Sequence, residues 1–441
     1  MSARIKLIAL LLWISVCPGR AAAQTVPSEY DVGQVTACIA KSTISITKLE
    51  YTNSLPLWQD GSDLPRTKMS QVVWETSPRS PSAFVSGNKI VATATFTVTP
   101  APTLAISGAR IEGSVQGLGT LVASGVSIPA GATSITINNI TADTAFPPST
   151  TQHYPGLPVK WAYSPCGKPC SSGSSQCTPA GNTSSEVYVT LAQPLAMSVS
   201  IMPLTVVKLA IGNGGASSQT EAFDITWQHF EGPANVKGWD TRLLYYYEQG
   251  IGFEGCATNS FLLLTSSTGS GQCGSWAYLF RDALAVNGIR SKPVVISPTA
   301  GPYMLVKDWK FRGRPTYPDN SPWAFNLKLG IEEGPRQAVG MVTNPPIGPQ
   351  FGDLQSGIGL AGQNSGTPSE KVFNYHFIVK VDEVPDIGGP YFDPSYGATY
   401  EDNCDFEDQA IAGYGEPNPN LPRNYLLARP QFGGCSVTLV P

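Results

Sequence analysis

Three residues of this 441-residue chain combine a chemistry-bearing type with a supportive context: Cys273, His376 and Asp393. Cys273 lies in Gly269-Ser-Gly-Gln-Cys273-Gly-Ser-Trp276, where a Gly/Ser-rich stretch runs into an amphipathic segment. Trp276, Leu279, Phe280, Ala283 and Leu284 recur at helical intervals, which predicts a helix over 275–287 with Cys273 at its first turn and Asn287-Gly288 as its stop. At a helix start, unpaired backbone N–H groups and the positive end of the dipole favour negative charge, first on a thiolate and then on a carbonyl oxygen under attack. A nucleophilic thiol needs a base, and the chain has only 3 histidines. His376 sits in the alternating run 374–381, where Tyr375, Phe377, Val379 and Val381 take one face and His376 the other. Tyr391-Phe-Asp393-Pro-Ser-Tyr-Gly397 then offers a carboxylate at a strand end, suited to fixing an imidazole tautomer. His153 and His229 have no comparable surroundings and read as structural.

The elements that must position these residues follow from composition and texture. Only 14% of residues are charged, against 44 Gly and 38 Pro, which excludes coiled coils and long helical solenoids and fits a turn-rich β or α+β chain. The net charge of −4 supplies no basic field for nucleic acid or an anionic membrane. Residues 1–23 read as a secretory signal: Arg4 and Lys6, an apolar run from Leu7 to Val16 too short to span a bilayer, then Ala21-Ala22-Ala23. Cys17, preceded by Val and followed by Pro, makes a poor lipoprotein site. The mature chain is therefore expected to be exported (secreted, periplasmic or at the cell surface) without stable membrane insertion. From there to residue 204, short Val/Ile/Thr/Tyr runs broken by Gly, Pro, Asn and Ser predict an antiparallel β-sandwich, with Ala92, Ala94, Phe96 and Val98 sharing one face. Two sequons, at Asn139 and Asn182, suit surface loops.

After residue 205 the texture becomes α+β. Helical spacing extends over 221–230 and 239–248, strands are expected at 293–297 and 375–381, and the Pro/Gly-rich stretch at about 298–369 reads as an insertion. Without Cys17, eight of the 9 cysteines remain, enough for four bridges; a working thiol at Cys273 leaves an odd seven. Cys166, Cys170 and Cys177 read as a stapled loop, since their spacing lacks the CxxC pairs of a zinc site. Glu401, Asp402, Asp405, Glu407 and Asp408 read as a solvated acidic loop without the ligand alternation of an EF-hand. No metal or cofactor is called for.

The Gly-Gln-Cys273-Gly-Ser-Trp-Ala helix start, His376 on a strand and the following Phe-Asp393-Pro-Ser-Tyr-Gly together resemble the core of the transglutaminase-like superfamily, over about residues 240–400. Cys273-Gly-Ser-Trp276-Ala277 is most similar to the peptide N-glycanase version, and Gln272-Cys273 also to the animal transglutaminases. The resemblance implies a papain-like α+β core in which Cys273 is the nucleophile, His376 the general base and acid, and Asp393 the orienting acid. Gln272 and Trp239 are weak candidates for the oxyanion partner. The expectation is thus an exported cysteine enzyme that takes a protein or peptide substrate and cleaves or transfers amide bonds through a thioester. The competing expectation, from a different class, is a non-catalytic surface or adhesion protein that uses the sandwich and a papain-like scaffold to bind a partner.

Overall fold

The computed structural model describes residues 42–61, 67–75, 80–170, 176–231, 236–246, 258–298, 303–306, 350–353, 362–364, 372–382, 384–385, 387, 389–417, 424–428 and 437–440. The signal read at 1–23, Cys17, Cys38, Cys256, Cys435 and most of 298–369 lie outside these residues. Within them the chain is mostly β, with few helices and several sheets.

The alternation read in Lys89–Thr99 is written into its burial. Ile90, Ala92, Ala94, Phe96 and Val98 are buried, and threonines fill most of the outward positions, where a β-branched side chain suits the pleated surface. Nine strands form one sheet in the order Val72–Trp74, Thr43–Tyr51, Lys89–Thr99, Ser134–Ala145, Gly119–Ile128, Ile106–Val115, Gln152–Ser164, Thr178–Thr190 and Ser82–Val85. Neighbours are antiparallel except at the Ser82–Val85 edge, which runs parallel to Thr178–Thr190. The two layers expected of a sandwich are therefore two parts of one sheet that curls over. The Tyr51 and Ser185 hydroxyls hydrogen-bond at 3.0 Å between strands far apart in the sheet order. Gly181 also approaches Ile46 so closely that a Cβ there would lie 2.8 Å from its Cγ2. Register shifts between Ile46 and Lys48, Ala92 and Ala94, and Ala109 and Ile111 mark irregularities of the kind that sharpen twist and curl a sheet. Asn139 and Asn182 are exposed but lie in strands, not in loops.

The change of texture near residue 205 coincides with the helix Leu204–Ile211, followed by Gln219–Trp227. The second begins at Ser218, whose hydroxyl accepts from Glu221 N–H at 3.1 Å while the Glu221 carboxylate accepts from Ser217 N–H at 2.6 Å. Of the helix expected over 239–248, the described residues 239–246 are not helical. Lys237 and Leu243 make an isolated bridge, and Tyr245–Tyr246 pairs in parallel with Ser270–Gly271. That long-range pairing buries Leu244 and Tyr246, which outweighs local helical spacing. The expected acidic loop is instead the helix Asn403–Ala410: Asp402 caps it by accepting from Asp405 N–H at 2.8 Å, and Phe406 and Glu407 are buried.

The expected strands at 293–297 and 375–381 are present as Ser291–Pro298 and His376–Val381. They are central in an antiparallel sheet ordered Ala398–Tyr400, Tyr391–Asp393, His376–Val381, Ser291–Pro298, Val437–Val440. A second five-stranded sheet runs Gln350–Asp353, Asn424–Ala428, Ile411–Pro417, Tyr303–Val306, Val372–Phe373, so the inserted stretch contributes strands. The larger apolar core crosses the 204/205 boundary, joining Leu57, Ala83, Tyr188 and Leu191 to Phe223, Trp227, Phe280 and Phe392. Polar stitches reinforce it: buried Asn287 accepts from Leu191 N–H at 3.0 Å and donates to Ala210 O at 2.7 Å, and Asp282 accepts from Ser198 N–H at 2.8 Å. Cys170 and Cys177 are bonded to each other, and Cys166 and Cys404 are also in disulfides. Disulfides fit an oxidising, exported compartment, and no described helix is long and apolar enough to cross a membrane.

Candidate active site

Cys273 opens the helix Cys273–Val286, two residues earlier than the apolar spacing alone indicates. Gln272 is its N-cap, with extended backbone at φ −84° and ψ 171°, and its carbonyl accepts from the N–H groups of Ser275 (3.0 Å) and Trp276 (3.3 Å). The N–H groups of Cys273 and Gly274 thus stand at the open end of the helix, without intrahelical acceptors. The preceding loop is held tightly. Gly269 adopts φ +67°, and a Cβ at Gly271 would lie 2.1 Å from Ser275 Oγ, which itself donates to Gln272 O at 2.8 Å. Trp276 Nε1 donates to Tyr245 O at 3.2 Å, and Arg242 donates to Leu264 O at 3.0 Å, so the 237–246 hairpin braces the loop that delivers the thiol. Cys273 is the free cysteine among the described residues, and it is buried.

Packing of this helix on the central sheet brings the base to it. Gly274 sits against Phe377, where a Cβ would lie an ordinary 3.7 Å from Phe377 Cδ2. His376 begins that strand, and both faces of the strand are covered. Its Nε2 is 2.8 Å from Asp393 Oδ2 on the adjacent strand, and both side chains are fully buried. Asp393 Oδ1 accepts from Ser395 N–H at 3.0 Å, which fixes the carboxylate plane. His376 Nδ1 is buried and makes no well-aligned hydrogen bond among the described residues. Burial alone would push the His376 pKa down. The charge and hydrogen bond of Asp393, with hydrogen-bonding and charge contributions from Cys273, outweigh it and hold the pKa well above 6.5. With Nε2 on Asp393, Nδ1 is the ring nitrogen left over.

Of the weaker candidates, Gln272 lies half-buried beside Cys273. Trp239 Nε1 packs against Gly61, 2.6 Å from where a Cβ would be, and has no hydrogen-bond partner among the described residues. His153 stacks on Tyr188 and pairs with Glu186 at 3.2 Å, away from the site, and burial lowers the pKa of His229.

Two contributors escaped the sequence reading. Gln363 is fully buried: its N–H donates to Ser395 O (3.0 Å), its Nε2 to Pro394 O (3.0 Å) and Phe230 O (2.7 Å), and its carbonyl accepts from Tyr246 N–H (2.9 Å). One residue therefore ties the turn behind Asp393 to the strand beside the Cys273 loop. Phe373 stacks on the His376 ring, with centroids 4.6 Å apart and planes 17° from parallel. Gln363 has no motif around it, whereas the Phe-x-x-His spacing was visible but carries no meaning until the backbone turn between sheets is known. Compared with models of known protein families and with curated protein sequences, the chain finds no match.

Proposed function

We propose that this protein is an exported, transglutaminase-like thiol enzyme acting on the amide bonds of a protein or peptide substrate. The observation that carries this reading is the buried 2.8 Å bond from His376 to Asp393, with a free cysteine at the start of the helix that packs on the His376 strand. In this reading Cys273 Sγ attacks the carbonyl carbon of a peptide or carboxamide, and the thiol proton resides on His376. The helix-start N–H groups stabilise the oxygen as it gains charge. His376 returns the proton to the departing nitrogen, the C–N bond breaks, and the thioester passes to water or to an amine. Asp393 keeps the imidazole oriented and compensates its charge.

The test is iodoacetamide labelling of the mature protein at neutral pH, with peptide, glutamine-donor and glycopeptide substrates as competitors. Cys273→Ala is expected to abolish both labelling and turnover, and a disulfide at Cys273 in the mature protein would sink the proposal. The non-catalytic reading draws on one observation: Cys273 is only 5% exposed, so a substrate must displace its cover to reach the sulfur. Labelling as slow as that of an ordinary buried thiol, and unchanged by His376→Ala, would favour that reading.

A further inference from the structure

The chain crosses from one sheet to the other between Phe373 and His376. Val372–Phe373 pairs with Tyr303–Val306 in the second sheet, Met304 lying opposite Phe373, and His376 starts the central strand of the first. Asn374 and Tyr375 make the crossing, with Tyr375 N–H donating to Asn374 Oδ1 at 3.0 Å. The crossing folds the Phe373 ring onto the imidazole, and Phe373 is itself only 2% exposed. Two further rings complete the enclosure: Tyr396 at 5.6 Å and Phe406 at 6.4 Å between centroids, the latter 22° from parallel. An aromatic face carries negative quadrupole density, and it attracts a cation most strongly where water is excluded.

We propose that Phe373 is a positioning residue, whose ring holds the imidazole plane with Nε2 on Asp393 and Nδ1 left for Cys273 and stabilises the imidazolium against its neutral form. For its use in catalysis the inference rests on the proposed thiol chemistry, whereas its measurement does not. Among the described residues, the titratable groups around the ring are Asp393 on the adjacent strand, Cys273 on the helix and Tyr396 after the Asp393 turn, with Tyr400 packed on Phe406. The other neighbouring strand places Ile296 opposite His376. Asp393 supplies the compensating charge, and Phe373 adds attraction on the ring face that no carboxylate occupies. Through Phe373 the second sheet, which the inserted stretch helps to build, takes part in holding the base.

The experiment is an NMR titration of the imidazole resonances in histidine-labelled full-length mature protein. Only 3 histidines contribute, and His376→Gln assigns the signal. Phe373→Leu is expected to lower the His376 midpoint by about half a pH unit or more, a roughly threefold or larger loss of proton affinity, while Phe373→Tyr keeps the native midpoint. Phe373→Met, which also lacks a ring, replaces the leucine variant should that one fail to fold. A midpoint unmoved by loss of the ring, or moved as far by tyrosine as by leucine, overturns the inference. The pH profile of Cys273 alkylation in the same proteins separates the two proposals. A native thiol that alkylates independently of His376 defeats the enzyme reading alone, and an unmoved His376 midpoint defeats this inference alone.

Discussion

Asp393→Asn changes one oxygen to nitrogen and is expected to disable the site through the tautomer of His376. Asp393 Oδ1 accepts from Ser395 N–H at 3.0 Å, and an asparagine keeps that bond only by placing its own oxygen there. Its NH₂ group then faces His376 Nε2 across the 2.8 Å contact now made by Oδ2. A donor in that place obliges neutral Nε2 to accept, so the ring proton moves to Nδ1, the nitrogen needed to take the proton of Cys273. Because both side chains have zero exposure, no solvent screens the change. The expected loss of turnover at neutral pH is roughly 10⁴-fold, the scale at which a wrong-tautomer imidazole acts. The stability sign follows separately. With Asp393 the His376 pKa is held well above 6.5, so this pair stabilises the fold fully below about pH 6.5 and less as pH rises through the folded value. In the asparagine variant the upward push of Asp393 is gone and burial is opposed by Cys273 alone, so its stability deficit is expected to be larger at pH 6 than at pH 10. Turnover, with iodoacetamide rates between pH 5 and 10 and urea unfolding at both ends, measures this. An asparagine variant with native turnover and a native alkylation profile would refute the reasoning.

Asp60, buried under the start of the Leu204–Ile211 helix, has its pKa pushed up to about 6 by burial, only partly offset by Thr205 hydrogen bonds. A carboxyl raised about two units costs stability as pH climbs from about 4 through 6, on the order of 3 kcal/mol in all. Asp60→Asn should remove that loss in urea unfolding at pH 4 and 7, and equal pH dependence in variant and native protein would count against it. Gln363→Leu leaves the Pro394 and Phe230 carbonyls without their shared donor. It is expected to lower stability by about 2 kcal/mol and slow Cys273 alkylation, whereas an unchanged alkylation rate would dissociate Gln363 from the site. Gly271→Ala drives its Cβ into Ser275 Oγ, so it should slow labelling of Cys273. The double variant with Ser275→Gly should recover it, and a lack of rescue would place the fault elsewhere.

The parts legible in the sequence are those set by short-range pattern. Trp276, Leu279, Phe280, Ala283 and Leu284 announce their helix because one face must be buried, and the alternation in Lys89–Thr99 announces its strand for the same reason. His376 could be named because the chain has only 3 histidines, and Asp393 because its motif puts a carboxylate at a strand end; the structure places the two on adjacent strands. What the pattern does not carry is pairing between distant segments. Leu243 to Tyr246 has helical spacing yet extends, because its partner is Ser270–Gly271. The curl that turns one sheet into two layers depends on contacts such as Tyr51 with Ser185, which no local window contains. Phe373 and Gln363 reach the site only through a crossing between sheets and through backbone carbonyls of remote turns. The helix at Asn403–Ala410 was hidden by its charge, since Asp402 and Asp405 are caps whose local hydrogen bonds resemble those of a turn.

The stitches at the far end of the Cys273 helix bear on modularity. Asn287 and Ala285 hold Leu191 and Leu195, and Asp282 holds Ser198, so the segment leaving the β-rich half is fastened along the back of the helix whose front presents the thiol. Such a connector is not a tether. Excising the C-terminal half as a portable cassette, or grafting it onto another carrier, would remove the Leu191 and Ser198 donors from Asn287 and Asp282 and take Leu57, Ala83, Tyr188 and Leu191 out of the apolar core they share with Phe223 and Phe280. The β-rich half thus belongs to the foundation of the thiol helix, and shuffling it among proteins would carry the reactive centre along or destroy it.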